Sequence, residues 1–258
     1  MTLGIIAALK DEIAELIQSM EQDGNVIVQR VGMRDFYIGQ LEGQPCVLVL
    51  ARIGKVAAAA TAVTLIREFG IDEILFSGVA GGLARQVNVG DVVIADKLIQ
   101  HDMDARPIFP RYEIPLLGVT EFCSAPDLSE ELRVAAQYFL THQLTDHRAA
   151  LTQLGIIAAR LHIGTIASGD QFIGAHQDAD RLRVELPEVY AVEMEGAAVA
   201  QICHEFDVPC AIIRTISDRA DSSAHIDFNQ FLVNVASHYA SGIIRRFLSQ
   251  RTIRQVKC

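Results

Sequence analysis

Between residues 190 and 218 the chain carries four charged groups at spacings suited to acid–base chemistry. Glu193 and Glu195 follow a short apolar run at the point where the periodicity changes. Arg214 and Asp218, with Ser217 beside it, stand near the end of a second apolar run that starts at Cys210. A neutral carboxylic acid can donate a proton and an ionised one can position water, provided their surroundings differ. Glu12 and Asp170 close other apolar runs and extend the acid inventory. This is hydrolase-like equipment without a Ser-His-Asp order, a CxH pair or a metal cluster. His101 with Asp102 and Asp104 lacks a second suitably spaced histidine, so no metal and no cofactor is expected. The plainer alternative for any single acid is structural. Acids in a helix's first turn favour the positive end of its dipole, and an Asp after a strand is a common cap.

These residues need elements to hold them. Residues 3–9 are expected to form a first strand, with a helix from 10 to 20. Residues 26–30, 35–41 and 45–51 read as strands joined by turns, Glu42-Gly43 being a hairpin signal. Gly54-Lys55 opens a helix whose apolar residues repeat at helical spacing until Gly70 stops it. Residues 72–77 read as a buried strand running into Gly78-Val79-Ala80-Gly81-Gly82, which suits either a tight turn or close approach of a ligand. Residues 91–100 form another strand. Residues 106–115 hold three prolines and are expected to be an irregular loop shaping a site or an interface. A surface helix is expected over 128–140, a long strand over 154–167 bent at Gly164, a strand over 189–192 and a helix over 197–206. The continuous apolar run 210–216 is the pattern of a buried parallel strand. An amphipathic helix is expected from 227 to 249. In open α/β sheets ligands bind beyond the carboxyl ends of strands, so Glu193, Glu195, Arg214 and Asp218 are expected to converge on one crevice. Strands and helices alternate throughout, with no repeat or linker. The expected fold is a single-domain three-layer α/β/α sandwich over 1–258.

Composition narrows the function classes. Half of the 258 residues are hydrophobic, enough for a large core. The net charge of −10 comes without a basic block, which argues against nucleic acid as a partner. No apolar run has membrane-spanning length. The first residues run into an apolar stretch and then Lys10-Asp11-Glu12, the order of a strand rather than of a secretory leader. Five cysteines without metal-like spacing read as reduced thiols of a cytoplasmic protein.

Over almost its whole length the sequence resembles the 5′-methylthioadenosine/S-adenosylhomocysteine nucleosidases, within the purine nucleoside phosphorylase superfamily. The resemblance rests on Gly4-Ile5-Ile6-Ala7-Ala8 with Asp11-Glu12, on Ile53-Gly54-Lys55-Val56 and on Phe76 to Gly82. It rests also on His101-Asp102-Met103-Asp104, on Ala167-Ser168-Gly169-Asp170-Gln171-Phe172, on Val192-Glu193-Met194-Glu195-Gly196 and on Ser217-Asp218. The glutamate pair and the Ser-Asp pair in this order are specific to the superfamily, and the early Glu12 discriminates further.

The resemblance implies a central mixed sheet and an N-ribosyl hydrolase acting on a small nucleoside. By it, Asp218 matches the general acid that protonates adenine N7, with Ser217 orienting it, and Glu12 matches the group that holds and activates water. Glu195 matches the ribose hydroxyl ligand, Met194 packs beside the sugar, and Arg214 falls near the water and the ribose-binding glutamate. Phe172 would stack on adenine and the Ile173 backbone would read its edge. Leu9, Ile53 and Phe228 match a pocket for the 5′-alkylthio group. Val79 stands where several family members carry Ser. A homodimer is implied, the loop after His101-Asp102 reaching towards the partner's site. Ile108, Phe109, Tyr112, Ile114 and Leu116 would otherwise form an exposed patch. Other readings remain: a nucleosidase acting on a futalosine-type substrate, with Arg106 or Arg111 meeting a polar 5′ extension; phosphorolysis, which acidic Glu12 disfavours by repelling phosphate; and a non-enzymatic nucleoside-binding protein.

Overall fold

The computed structural model describes residues 1–8, 10–220, 231 and 235–256, with side chains except those of 11, 12, 146, 148 and 254–256. The expectations placed on Leu9, on Phe228 and on the Glu12 side chain lie outside that set.

The first strand, β1 (Leu3–Ala7), is buried along its length. Successive side chains of a strand point to opposite faces, and Ile5 and Ile6 enter two different cores. One core packs α1 (Lys10–Asp23), α3 (Pro126–Tyr138) and the last helix (Ser237–Val256) on one face of the sheet. The other packs α2 (Lys55–Glu68) and α6 (Gly196–Glu205) on the opposite face. These are the three layers expected from the alternation of elements.

β1 pairs in parallel with β4 (Gln44–Leu50) on one side and β5 (Glu73–Gly82) on the other. β2 (Ile27–Val31) and β3 (Arg34–Leu41) extend the edge beyond β4 as antiparallel hairpins. Glu42 and Gly43, both at positive φ, make the tight turn that joins β3 to β4.

β10 (Cys210–Asp218) runs parallel to β5, while β6 (Val92–Gln100) runs antiparallel to β10. β6 also pairs with the short β7 (Glu121–Cys123) and, in parallel, with β8 (Leu161–Ser168), which runs parallel to β9 (Val189–Glu193). The ring closes where β9 meets β5 antiparallel, Gly81 opposite Val192 and Gly82 opposite Ala191. The sheet is therefore mixed. Two sets of strands run against each other and meet at their carboxyl ends.

Two strand boundaries need correction. The glycine segment after residue 77 continues β5 to Gly82 instead of turning. A Cβ on Gly81 would stand 2.9 Å from Asp218 Oδ1, so the missing side chain lets three strand ends approach. The strand placed at 154–167 starts only at Leu161, because residues 148–153 form helix α4 and Ile156 leaves it to pack against Gly90. Directly after Gly164 the pairing of β8 with β6 shifts register, and a Cβ at Gly164 would lie 2.4 Å from the Tyr190 ring. Helix α5 (His176–Glu185) was not expected; it buries only Ala179 and Leu182, and its remaining residues are polar apart from exposed Val184.

Candidate active site

The meeting of the strand ends leaves a cavity of about 340 Å3. Its walls come from the segments that follow β1, β4, β8 and β9 and from the carboxyl ends of β5, β9 and β10. Ile53, Val79, Phe172, Ile173, Glu193, Met194, Glu195, Ser217 and Asp218 all line it. Arg214 does not line it but stands behind Glu193. Ala8, Ala80, Gly81, Gln171 and Val192 complete the described lining without having been singled out from sequence. They lie within the motifs that carry the resemblance, and all but Gln171 are small or apolar, types that alone suggest no chemistry. Glu12 sits in the first turn of α1.

Asp218 ends β10 and is 2% exposed. Ser217 donates its hydroxyl to Asp218 Oδ2 at 2.9 Å, and the Ala220 N–H donates to Oδ1 at 2.8 Å. The Ala80 carbonyl lies 3.4 Å from the Ser217 hydroxyl. A hydroxyl carries one donor and two acceptor sites. Ser217 can therefore donate to the ionised carboxylate, or accept from the protonated acid while donating to Ala80.

The two glutamates differ in their surroundings. Glu193 accepts from the N–H groups of Glu195 and Gly196, from the Ser168 hydroxyl and from Arg214. It thereby satisfies the free N–H groups at the start of α6, whose dipole favours a negative charge there. Arg214 is 1% exposed, bridges Glu193 at 2.7 Å, donates to the Phe76 carbonyl and lies 4.0 Å from the Phe76 ring centroid. Ser168 also receives the Ala197 N–H, tying β8 to α6. Glu193 is thus committed to holding the turn that aims Glu195. Glu195 itself accepts the Gly54 N–H at 2.7 Å, which joins the β9 end to the wall that carries Ile53.

Phe172 is half exposed at the mouth and Ile173 is buried. The arginines of the proline-rich loop are occupied elsewhere. Arg106 pairs with Asp104 at 2.5 Å. Arg111 pairs with Glu185 at 2.8 Å, where Tyr112 also donates. His101 is buried, which pushes its imidazole below the ordinary range, and its Nε2 lies against Gly169. Asp102 is engaged by Lys55 and by the Asp170 N–H.

Asp218 at the end of β10 and Glu195 just after β9 bring two carboxyl groups to one mostly apolar cavity, a pairing used in the cleavage of glycosidic bonds. Residues 2–249 match the phosphorylase superfamily. A 5′-methylthioadenosine/S-adenosylhomocysteine nucleosidase of Shewanella sediminis is 34% identical over 244 residues, which cover 95% of this chain and 97% of that protein. The solved structure of the nucleosidase of the same name from Neisseria meningitidis, in complex with methylthio-immucillin-A, superposes with a TM-score of 0.83 at 34% identity. It covers 96% of this chain and 99% of that one. Futalosine hydrolase of Helicobacter pylori superposes with a TM-score of 0.80 at 29% identity, covering 96% of this chain and 97% of that one. The chain belongs to the 5′-methylthioadenosine/S-adenosylhomocysteine nucleosidase family of the phosphorylase superfamily.

Proposed function

We infer that this protein hydrolyses the N-ribosidic bond of 5′-methylthioadenosine and S-adenosylhomocysteine, releasing adenine and the 5′-thioribose. The observation that carries the reading is the cavity lined by both buried Asp218 and buried Glu195, from the ends of two different strands. Asp218 protonates N7 of adenine and turns it into a leaving group, and the Ser217 hydroxyl follows the change of protonation. Cleavage leaves positive charge on the ribose, as in other glycosyl transfers. Glu195 holds the ribose hydroxyls and, with Glu12, stabilises that charge; Glu12 activates the attacking water. Met194 packs against the sugar, Phe172 stacks on the base, and the Ile173 backbone reads its edge. Arg214 acts through Glu193 by fixing the turn before Glu195. The reaction takes no cofactor.

Ile53 supplies apolar surface for the 5′ group, with Leu9 and Phe228 assigned the same role. The pairing of Arg106 with Asp104 and of Arg111 with Glu185 supports an apolar substituent over an acidic one. A buried thiomethyl group gains roughly 1–2 kcal/mol, and a buried hydroxyl without a partner costs about as much. The preference for 5′-methylthioadenosine over adenosine is therefore expected to be on the order of 10²-fold in kcat/KM. Steady-state kinetics on methylthioadenosine, adenosylhomocysteine, adenosine, inosine and a 5′-carboxylated analogue in phosphate-free buffer test this. A carboxylated compound as best substrate would favour the futalosine-type reading, and a requirement for added phosphate would make the enzyme a phosphorylase.

The physiological setting we propose is methionine salvage in the cytoplasm, with the enzyme working as a homodimer. Ile108 and Leu116 of the proline-rich loop and Val56 of α2 are strongly exposed, and Ile53 and Phe172 are half exposed at the mouth. The expected patch is smaller than the sequence suggested, since Ile114 is buried beneath its loop. Sedimentation at micromolar concentration is expected to give twice the chain mass. A fully active monomer would remove the dimer.

A further inference from the structure

Outside the cavity, Lys55 closes a ring of hydrogen bonds across the mouth. Its Nζ donates to Asp102 Oδ1 at 2.6 Å and to Gln100 Oε1 at 3.0 Å. Asp102 Oδ2 accepts the Asp170 N–H at 2.9 Å. Asp170 Oδ1 in turn accepts the Lys55 N–H at 2.8 Å, which returns the ring to its starting residue. The three residues come from the start of α2, the end of β6 and the loop after β8. Gln100 carries the network on to Gln201 of α6 at 2.7 Å.

The ring spans two walls of the cavity. On one side Gly54, next to Lys55, donates to Glu195. On the other Gln171, Phe172 and Ile173 follow Asp170 directly. Gly54 has φ 98°, and a Cβ there would stand 3.0 Å from Asp170 Oδ1, so the chain gives up a side chain to let the walls close. The Lys55 and Asp102 side chains are 16% and 19% exposed, partly shielded from water. We propose that Lys55 is a positioning residue for the hydrolysis, acting through Asp102 and Asp170 to hold Gly54 against Glu195 and the base-binding loop at a fixed distance from the ribose. The proposal rests on the nucleosidase reading above and adds to it a group that touches neither substrate nor reacting atoms.

The charge state is suited to the task. Burial alone would push the Asp102 carboxyl up, but the Lys55 ammonium and the Asp170 N–H outweigh it and hold it below the usual carboxylate range. A carboxyl depressed on folding contributes above its unfolded pKa and loses that contribution as pH falls through the folded value. The Asp102 carboxylate therefore keeps its charge, and its hold on Lys55, throughout the neutral range and loses it in acid.

Removing the ammonium while keeping the stem isolates the effect. Lys55→Met is expected to lower kcat/KM for 5′-methylthioadenosine by about 10- to 100-fold, the scale of a small misplacement of a reacting partner. Lys55→Arg, which restores a cation with donors, is expected to recover most of that loss. Asp102→Asn, close in shape, is expected to fall in the same direction. A merely structural lysine would also slow the enzyme, so the deciding measurement is a double-mutant cycle in single turnover. If Lys55 acts through Gly54 and Glu195, Lys55→Met costs little once Glu195→Ala has been made, whereas additive losses overturn the positioning role. A Lys55→Met enzyme with wild-type kcat/KM overturns it as well. A wild-type protein inert toward the nucleoside panel overturns the nucleosidase reading and this proposal with it, an outcome distinct from an active enzyme with additive losses.

Discussion

Asp218→Asn is expected to lower turnover of 5′-methylthioadenosine by about 10²–10⁴, the usual worth of a positioned general acid, with little change in nucleoside affinity. The surroundings of the side chain explain why binding survives. The Ala220 N–H will hold the amide oxygen where it now holds Oδ1, turning the NH2 group towards Ser217 and the cavity. That NH2 can hydrogen-bond N7 but cannot give up a proton, so the leaving group departs as an anion. Single-turnover kinetics beside equilibrium binding of a non-hydrolysable analogue separate the two effects. Near-normal turnover would take Asp218 out of its assigned role, and a collapse of affinity with chemistry intact would make it a binding group.

The second large effect concerns stability. Arg214→Met should cost about 3–5 kcal/mol, because it leaves the Glu193 carboxylate buried without its counter-charge. The remaining donors to Glu193 are the Glu195 and Gly196 N–H groups and Ser168, all neutral. The stack on Phe76 and the bonds to the Phe76 and Ile213 carbonyls disappear as well. For a domain of this size the melting temperature should fall by roughly 10 °C. Glu193→Gln in the same chain should recover part of the loss, since an amide tolerates the buried site better than an unpaired carboxylate. Chemical denaturation of the two single variants and the double variant gives the answer. A loss under about 1 kcal/mol for Arg214→Met, the scale of an exposed pair, would mean that Glu193 is not held by this bridge.

How much of this was legible beforehand depends on how local each feature is. Glu195 and Ser217-Asp218 stand where apolar runs stop, and strand ends are where a sheet of this kind binds its ligands, so their meeting could be read from order and type. Arg214 could be placed near them, but not behind Glu193. That depends on which face of β10 it occupies, and in a strand buried on both faces the sequence carries no alternation to decide it. The continuation of β5 through Gly81 was hidden for a similar reason, because glycine pairs reward both turns and close approach. Residues 154–160 looked like part of a strand from their apolar content. Yet Ile156 is buried and its neighbour Ile157 fully exposed, in a segment that follows a helix. Helix α5 buries too few apolar residues to announce itself. The ring around Lys55 joins residues far apart in sequence, and no periodicity encodes such a contact.

Both halves of the cavity are assembled from distant parts of the chain. Glu193 to Asp218 is a consecutive β9–α6–β10 segment, yet β9 and β10 pair not with each other but each with β5, whose Gly81 stands opposite Val192 on one side and Asp218 on the other. The opposing wall arrives from far away: the Gly54–Glu195 bond joins residues 141 positions apart. Contacts between distant segments are entropically costly to close and form late when a chain folds. The cavity is therefore expected to be completed late in folding, once β5 has joined β9 to β10 and the wall of Ile53 and Gly54 has docked.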